Sequence, residues 1–565
     1  MTHQYTPRNM KKRKNPPVKK SPPCALLVFL IVIGGMIATF CGIGALVLFV
    51  SSFESTTTPT TATLDLAYSP EKDALMQDLI ARFHKANYQT PSGLPMRINA
   101  TRMDAAGIVD AARAGRFTAI SPDSSLWLAQ IDAGRQRALV GEAARFAVTP
   151  IVIAMWSDVA QSLGYPQKQI GWQNLLAKAK SDPNFKWSHP STSSASGLLA
   201  TLAVFYAGAN KTRGLTEEDV KNRAVLDYVS ALEKTVRYYG EGEQATIDQV
   251  LKRGRSYLDA FVVSERLVIY FNSKSPQKLV AIYPIEGTLW QDHPLALLEQ
   301  PGLTDEQRLT FRRFRDFLLS PEIQKVILQA GYRPVDLNLR LDDPVSPIKL
   351  SNGVDPAQPQ TTLQMPSAAV IEIVQAAWHL TKRPANIYLV ADTSGSMGEQ
   401  DKLTQAIDAL DTFLDQVQGE HDRVGLVPFA SRVYNVIALQ EIGTHRAMLK
   451  AQVRAFKASG QTALLDAVAY AYDDLQRRND RERINAIVVM TDGIENASSI
   501  KLNQLVDKIK HGNASGVPVV IFCIGYGSDA DWNVLNTLAE ATGGFARRAD
   551  PETIRKLYKI LSTYF

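Results

Sequence analysis

Short apolar runs alternate with stretches of helical periodicity from residue 63 to residue 341. The run at 63–69, TLDLAYS, predicts a strand, and residues 70–86 predict a helix because Leu75, Leu79 and Phe83 fall on one face. Further elements repeat this order: strands at 96–102, 117–121, 147–155 and 260–271, and a helix at 104–115. Alternating strands and helices are typical of parallel sheets covered by helices.

A second alternating region occupies residues 385–565. Residues 386–392, NIYLVAD, are apolar up to their last position, which predicts a central strand buried between helices. The pattern adds strands at 422–430, 433–439, 484–491, 517–527 and 544–548, and helices at 401–417, 463–478, 532–544 and 551–565. This order predicts a six-stranded, doubly wound (Rossmann-like) α/β domain whose binding crevice lies beyond the carboxyl ends of the strands.

The two regions are joined by residues 342–384. Five prolines between 344 and 366 predict a connector, and residues 367–383 predict an amphipathic helix with Val370, Val374 and Trp378 on one face. His379 on this helix is interpreted as an interface residue rather than a metal ligand.

The N-terminal part predicts a membrane anchor. Residues 25–50 carry no charge, and at ~1.5 Å per residue they span roughly 39 Å, enough for a transmembrane helix. A cleaved signal peptide would have a shorter apolar run. The cations of residues 1–24 predict that this tail stays in the cytoplasm and that the rest lies outside. Residues 51–62, rich in Ser and Thr, are interpreted as a spacer above the lipid bilayer.

Composition narrows the possible functions. The net charge is +6, but residues 1–24 hold seven Lys and Arg and no acid, which leaves the other residues at −1 and gives no support for nucleic-acid binding. Of three cysteines only Cys523 lies beyond the apolar run, so no intramolecular disulfide is expected outside. An outer body without disulfides favours a bacterial surface protein.

Several phrases in residues 63–341 occur in an order that resembles the extracellular solute-binding proteins, the two-lobed receptors of bacterial importers. They are AISPDSSLWL (119–128), IGWQNLLAKA (170–179), HPSTSSASGLLATLAVFYA (189–207), GRSYLDAFVVSE (254–265), IYPIEGTLWQDHP (282–294) and FRRFRDFLLSPEIQKVILQAGYRPV (311–335). The resemblance implies a two-lobed α/β domain with a ligand cleft between its lobes.

Hydroxyl clusters next to predicted helix starts are the candidates for that cleft. The candidate ligand-binding residues are Ser69, Ser121, Ser124, Ser125, Thr192, Ser193, Ser194, Ser196 and Glu265, with Trp127 and Asn272 as weaker ones. Free N–H groups at helix starts, together with hydroxyls, favour an anionic or oxygen-rich solute. The alternative for each hydroxyl is that it simply caps its helix.

Three segments of the C-terminal region carry oxygen ligands in a fixed order. Asp392, Ser394 and Ser396 form a D-x-S-x-S loop after the first strand, Thr462 precedes a helix, and Asp492 follows the strand at 484–491. This trio resembles the von Willebrand factor A (VWA) domain with its metal-ion-dependent adhesion site (MIDAS), over about 180 residues up to the C-terminus.

The resemblance implies a divalent cation held directly by Ser394, Ser396 and Thr462, with Asp392 and Asp492 acting through water or hydrogen bonds. Hard oxygen donors favour Mg²⁺, with Mn²⁺ or Ca²⁺ as alternatives. A cation so weakly neutralised can accept an acidic residue from a partner protein. The alternative is a vestigial or purely structural site.

The combined prediction is a membrane-anchored extracellular binding protein that couples solute recognition to metal-dependent protein binding or adhesion. The alternative is a solute-capture component of an importer, with the VWA domain as its docking module. An enzyme is disfavoured because the chain has no Ser-His-Asp order, no H-E-x-x-H motif and no phosphate loop. Asp466 and Glu495 are interpreted as solvated acids rather than additional ligands.

Overall fold

The computed structural model describes residues 60–240, 242–527, 529–550 and 553–565. Within these ranges no helix combines the length and apolar character that a bilayer crossing requires. The predicted anchor at 25–50, the basic tail 1–24 and nearly all of the spacer 51–62 lie outside the described residues.

The N-terminal domain contains eleven of the described strands. They are β1 (Ala62–Tyr68), β2 (Met96–Arg102), β3 (Ala119–Ser121), β4 (Val140–Arg145), β5 (Ala147–Trp156), β6 (Trp187–Ser188), β7 (Ala260–Ser264), β8 (Leu279–Ile282), β9 (Trp290–Gln291), β10 (Pro294–Leu298) and β11 (Arg333–Pro334). The first lobe is a five-stranded sheet in the order β2-β1-β3-β10-β4, and the second is built around β5, which pairs with β7, β8, β9 and β11.

Both sheets are mixed, which corrects the expectation of parallel sheets. Strand β1 is parallel to β2 and β3, but β10 is antiparallel to both of its neighbours. In the second lobe β5 runs antiparallel to β7, β8, β9 and β11, and only the β6–β7 pair is parallel. The chain crosses from one lobe to the other at residues 146–147, 291–294 and 332–333, so three segments connect the two lobes.

Helices cover these sheets. They are α1 (Asp73–Lys85), α2 (Ala105–Arg113), α3 (Leu126–Asp132), α4 (Ser157–Ser162), α5 (Trp172–Ser181), α6 (Ala195–Gly208), α7 (Glu217–Lys221), α8 (Arg223–Glu233), α9 (Glu243–Arg253), α10 (Glu265–Lys274), α11 (Asp305–Leu318) and α12 (Pro321–Gln329). Helix α6 is buried along nearly its whole length, because its sequence is apolar on every face.

The strand predicted at 260–271 is wrong in its second half. Strand β7 ends at Ser264 and helix α10 begins at the next residue. Beyond Ser264 the buried positions Leu267, Val268 and Phe271 follow helical spacing, and the Ser264 N–H donates to the Glu243 carboxylate at 2.6 Å. A side chain from α9 therefore takes the hydrogen bond that a continuing strand would have given to a neighbour.

The proline-rich segment after the second lobe packs against that lobe. Ile348, Val354 and Leu363 are buried in it, and the Leu363 N–H donates to the Thr288 carbonyl at 2.9 Å. It leads to helix α13 (Ala368–Thr381), which lies within the predicted range 367–383. The segment interpreted as a connector is thus part of the folded N-terminal domain.

The C-terminal domain is a six-stranded sheet in the order β14-β13-β12-β15-β16-β17, parallel except for the edge strand β14. Its strands are β12 (Ala385–Asp392), β13 (Arg423–Phe429), β14 (Ile437–Glu441), β15 (Ile484–Thr491), β16 (Val519–Tyr526) and β17 (Ala546–Ala549). Its helices are α14 (Lys402–Gln416), α15 (Ile442–Arg454), α16 (Leu464–Arg478), α17 (Leu502–Ser515), α18 (Trp532–Thr542) and α19 (Ile554–Ser562). Cys523 is buried in the core.

Candidate functional site

The predicted metal ligands lie at the carboxyl edge of the C-terminal sheet. Asp392 is the last residue of β12, and Asp492 directly follows β15, the adjacent parallel strand. Neighbouring parallel strands end on the same side of a sheet, so the two carboxylates reach one crevice. They do so although Asp392 is 99 residues away from Thr491, the residue before Asp492. Both carboxylates are fully buried.

The hydroxyl groups converge on the same point. The Oγ atoms of Ser394 and Ser396 lie 3.2 Å apart, and Ser396 Oγ donates to Asp492 Oδ1 at 2.7 Å. A Cβ atom placed on Gly493 would lie 3.0 Å from Thr462 Oγ1 and 3.5 Å from Ser396 Oγ. A side chain at position 493 would therefore crowd the two hydroxyls, and glycine keeps the space beside them open.

Asp392 shapes the loop that carries the serines. Its Oδ1 accepts the Ser394 N–H at 2.7 Å, and its Oδ2 accepts the Thr491 hydroxyl at 2.5 Å. Burial raises the pKa of Asp392 to about 6, although the hydrogen bonds from Thr491 and Ser394 act in the opposite direction and lower it. Asp392 thus holds the main chain of its own loop to the end of β15, a role that agrees with the indirect one implied by the resemblance.

Lys402 is a charged neighbour that the sequence reasoning missed. It begins helix α14, is 7% exposed, and its Nζ lies 2.7 Å from Asp492 Oδ2. The ammonium group supplies a positive charge at one side of the crevice while Ser396 holds the other oxygen of the same carboxylate. The sequence signal was weak: a lysine one turn after the D-x-S-x-S loop also fits an ordinary helix start.

The loop of Thr462 is tied to the loop after β15. The Thr462 N–H donates to Asn496 Oδ1 at 2.9 Å, and Glu495 Oε2 accepts the Leu465 N–H at 2.9 Å. Asp466 accepts the Ser499 N–H at 2.9 Å. Asp466 and Glu495 are therefore hydrogen-bonded to main-chain groups that fix the ligand loops, which corrects their interpretation as solvated acids.

The donor set suits a hard cation. Among the described residues no group of three or more His, Cys, Asp or Glu is placed to hold a metal, so a site of softer or wholly acidic ligands is not offered there. The crevice provides three hydroxyls and two carboxylates, the oxygen ligands that Mg²⁺, Mn²⁺ and Ca²⁺ prefer.

In the N-terminal domain, Ser69 and Ser121 lie side by side where β1 and β3 end. The Ser69 N–H donates to the Ser121 carbonyl at 3.2 Å, and both side chains are buried. Ser121 Oγ has no hydrogen-bond partner. Two predicted cleft residues are thus together, and one offers an unused hydroxyl.

A group of buried charges surrounds these serines. Lys72 Nζ donates to the Pro122 carbonyl at 2.6 Å and lies 3.4 Å from His293 Nδ1. Across the cleft, Glu243 from the second lobe accepts the Ser264 N–H. Burial lowers the pKa of Lys72 to about 8 and raises that of Glu243 to about 7. The sequence analysis did not predict Lys72 or Glu243 as cleft residues, because most of its candidates were hydroxyls next to helix starts.

Several buried polar atoms near this point lack partners. They are Glu71 Oε2, Gln291 Oε1 and His293 Nε2. Burial and the nearby Asp123 and Glu243 raise the pKa of Glu71 well above its usual value. Unsatisfied buried polar groups are costly, so a cleft that gathers them is suited to a polar ligand.

The other predicted hydroxyls have local partners. Ser124 Oγ accepts the Leu126 N–H at 3.4 Å, and the Ser125 N–H donates to Asp292 Oδ1 at 2.7 Å. Ser194 caps helix α6 through the Gly197 N–H at 3.2 Å. Ser194 therefore acts as the helix cap that was the stated alternative.

Thr192 and Ser193 line a different recess, of about 180 Å³, together with Trp378, His379 and Phe565. Ser196 Oγ lies 3.5 Å from Ser194 Oγ. In the part of the chain that the structure describes, no hydrogen bond joins this second hydroxyl cluster to Ser69 or Ser121. The two clusters predicted to share one cleft are therefore not brought into hydrogen-bond contact.

Glu265 forms a structural ion pair. Its carboxylate accepts two hydrogen bonds from Arg333, at 2.9 and 2.6 Å, and one from the Tyr283 hydroxyl at 2.5 Å. The weaker candidates are likewise occupied, since Trp127 donates to Asp123 and Asn272 bonds the Leu279 main chain. Glu265 therefore joins the start of α10 to β11 within the second lobe.

Curated relatives match about a third of the chain. Inter-alpha-trypsin inhibitor heavy chain H4 of Bos taurus is 28% identical over 179 residues, which cover 30% of this chain and 19% of that protein. Heavy chain H2 of Homo sapiens is 27% identical over 192 residues, covering 32% and 20%. The chain thus spans about a fifth of the length of these curated relatives.

Among solved structures, a von Willebrand factor type A protein from Catenulispora acidiphila has 21% identity and a TM-score of 0.28, covering 32% of this chain and 42% of that one. An ABC transporter from Clostridium perfringens ATCC 13124 has 13% identity and a TM-score of 0.40, covering 56% and 97%.

Family models match both parts of the chain. Residues 64–333 match the bacterial extracellular solute-binding protein, and residues 386–559 match the von Willebrand factor type A domain. The chain therefore carries a domain of the bacterial extracellular solute-binding type followed by a von Willebrand factor type A domain.

Proposed function

We propose that this protein is a binding protein with two recognition sites rather than an enzyme. The N-terminal domain takes up a small polar solute between its lobes. The C-terminal domain binds a partner protein through a divalent cation, to which the partner supplies an acidic residue, and the bound solute changes the affinity for this partner. The observation that supports the second role most strongly is the convergence of Ser394, Ser396 and Thr462 beside Asp492 at one sheet edge.

In this proposal Ser394, Ser396 and Thr462 hold the cation, Mg²⁺ before Mn²⁺ or Ca²⁺, while Asp392 and Asp492 orient them. Hydroxyl ligands are neutral, and one carboxylate is already paired with Lys402. The bound cation would therefore keep much of its positive charge, and an acidic side chain of a partner could complete its coordination.

We further propose that residues 25–50 anchor the protein in the cell membrane and that both domains lie outside. The apolar run and the seven cations before it support this orientation. The unpartnered buried atoms of the solute cleft favour a second candidate function, solute capture for an importer with the VWA domain as its docking module. Coupling between the sites would distinguish the two, because only the first function needs the solute to change partner affinity.

The metal site is tested by calorimetric titration of Mg²⁺ into the full chain and into Ser396→Ala. We expect saturable binding to the unaltered protein and at least a tenfold loss of affinity in Ser396→Ala, because one ligand and one hydrogen bond to Asp492 disappear. Ser273→Ala, an exposed hydroxyl in α10, is the control and should bind as the unaltered protein does. Equal Mg²⁺ affinity in all three proteins would contradict the proposal.

A further inference from the structure

A cavity of about 290 Å³ lies between the two domains and is lined by five cationic side chains. They are Lys186, Arg237, Arg253, Arg383 and Arg483. The one acidic residue in the lining is Glu540, which is half exposed and pairs with Lys252 at 2.5 Å. The wall of the cavity is therefore strongly positive.

Both domains contribute to this wall. Lys186, Arg237 and Arg253 belong to the solute-binding domain. Arg383 lies two residues before the start of β12, and Arg483 directly precedes β15. The cavity thus faces the amino ends of the parallel strands. The metal ligands follow their carboxyl ends, about 20 Å away along an eight-residue strand.

Few of these cations have a counter-charge. Arg483 lies 3.3 Å from Asp480 and forms an ion pair with it. Among the residues that the structure describes, the other four cations form no ion pair. Arg383 instead donates to main-chain carbonyls, at 2.8 Å to that of Val236, and Lys186 donates to that of Ser256 at 2.7 Å.

Two of the guanidinium groups retain unused donors. Arg253 donates through Nη2 to the Gly544 carbonyl at 2.7 Å, but its buried Nη1 has no hydrogen-bond partner. Within the described ranges the Arg237 side chain has no hydrogen bond or ion pair. Burial and the neighbouring Arg383 lower the pKa of Arg237 to about 10. The Arg237 side chain is only partly buried, whereas Arg253 Nη1 is a buried donor without an acceptor. An anion in the cavity would supply both guanidinium groups with the acceptors that they lack.

The size and the donor geometry restrict the anion. The cavity volume of about 290 Å³ is roughly ten times the volume of one water molecule. It lies at the lower end of the volumes of small-molecule binding sites. Guanidinium groups match the oxygens of phosphate, and several of them together favour a multivalent oxyanion over a single carboxylate.

We propose that this cavity binds a phosphate group, either as free phosphate or as part of a small phosphorylated metabolite, and that the bound anion stabilises the contact between the two domains. Because the cations that would contact the anion come from both domains, the anion can bind only when the two domains are in contact with each other. The site is independent of the metal crevice and of the solute cleft.

The test is calorimetric titration of inorganic phosphate and of glycerol phosphate into the full chain, in chelator and at constant ionic strength. We expect saturable binding of at least one ligand, and a loss of at least tenfold in Arg237→Gln. Tighter binding of glycerol phosphate would identify a phosphorylated metabolite as the ligand. Tighter binding of inorganic phosphate would identify the free anion as the ligand. The control is Arg223→Gln, whose exposed guanidinium pairs with Asp227 and should be indifferent.

Thermal unfolding provides the second measurement. A concentration of 100 times Kd should raise the Tm of the unaltered protein by roughly 2–4 °C and leave Arg237→Gln unchanged. Without anion, Arg237→Gln should melt no lower than the unaltered protein, because it loses an uncompensated charge. The proposal is overturned if neither anion binds saturably, if Arg237→Gln binds like the control, or if its anion-free Tm falls.

Discussion

The buried pair of Lys402 and Asp492 determines the charge that a cation meets in the metal crevice. Each oxygen of Asp492 already has a partner, Ser396 Oγ on one side and Lys402 Nζ on the other, both at 2.7 Å. A divalent ion in this crevice therefore lies near an existing positive charge. We therefore expect Lys402 to stabilise the crevice in the absence of metal and to weaken the affinity of the crevice for a cation.

Lys402→Met tests this dual effect. In metal-free buffer the free energy of unfolding should fall by about 3 kcal/mol, because removing one partner leaves the Asp492 carboxylate buried and uncompensated. Mg²⁺ affinity should rise in the same variant, since a repelling charge is gone. Denaturant unfolding with and without Mg²⁺, and calorimetry, measure the two quantities.

The control for this variant is Lys508→Met, which breaks a solvent-exposed ion pair with Asp473 in the same domain. Such pairs contribute about 0–1 kcal/mol, so neither stability nor Mg²⁺ affinity should change much. Weaker Mg²⁺ binding in Lys402→Met would show that the lysine assists the metal instead of opposing it.

At the scale of elements, periodicity predicted all six described strands and four of the six described helices of the C-terminal domain, but only five of the eleven described strands of the N-terminal sheets and two of the twelve helices that cover them. It failed where a strand and a helix follow each other without a loop. Residues 260–271 consist of two apolar stretches separated by Ser264, Glu265 and Arg266, and the prediction joined them into one strand. The change from β7 to α10 falls at this polar triplet, where the Glu243 carboxylate accepts the Ser264 N–H. That contact joins residues 21 apart, and no local pattern reveals it. In the C-terminal domain, helices α15 and α17 were not predicted.

The proline-rich segment before α13 illustrates a second limit. Its composition is that of a linker, yet Leu363 is 3% exposed and its main chain bonds to Thr288. A few buried apolar residues among many turn residues decide whether such a segment packs, and their partners lie far away in the sequence. Composition alone cannot supply those partners.

Leu363→Ala measures how much this segment stabilises the second lobe. The free energy of unfolding should fall by about 2–5 kcal/mol, the range for truncating a buried leucine. Leu337→Ala is the matched control, because Leu337 is 96% exposed and its truncation should cost almost nothing. Equal denaturant midpoints for the two variants would show that the segment packs without contributing stability.

At the scale of the whole molecule, the two domains are in direct contact. The ring of Trp378 in α13 meets that of Tyr239 edge-on at 5.0 Å, and the Tyr239 hydroxyl accepts the Arg383 N–H at 2.9 Å. This contact links the solute-binding domain to the strand that ends at Asp392.

The sequence was informative for the two sites to different degrees. The metal ligands follow strand ends in a fixed order, so topology alone brings Asp392 and Asp492 together. The predicted solute cleft also involves buried charges from both lobes, such as Lys72 in the first and Glu243 in the second, and both interact with Asp123. Their proximity to Asp123 requires the arrangement of the whole domain. Hydroxyl motifs near helix starts singled out Ser69 and Ser121, which lie together, and Thr192 and Ser193, which line a separate recess.

The most direct test of the central claim is anomalous diffraction from crystals of the full chain grown with Mn²⁺, a cation that can replace Mg²⁺ on oxygen ligands. The proposal predicts an anomalous peak in contact with the hydroxyl oxygens of Ser394, Ser396 and Thr462. Crystals that show Mn²⁺ only elsewhere, or no peak in this crevice at saturating Mn²⁺, would contradict it.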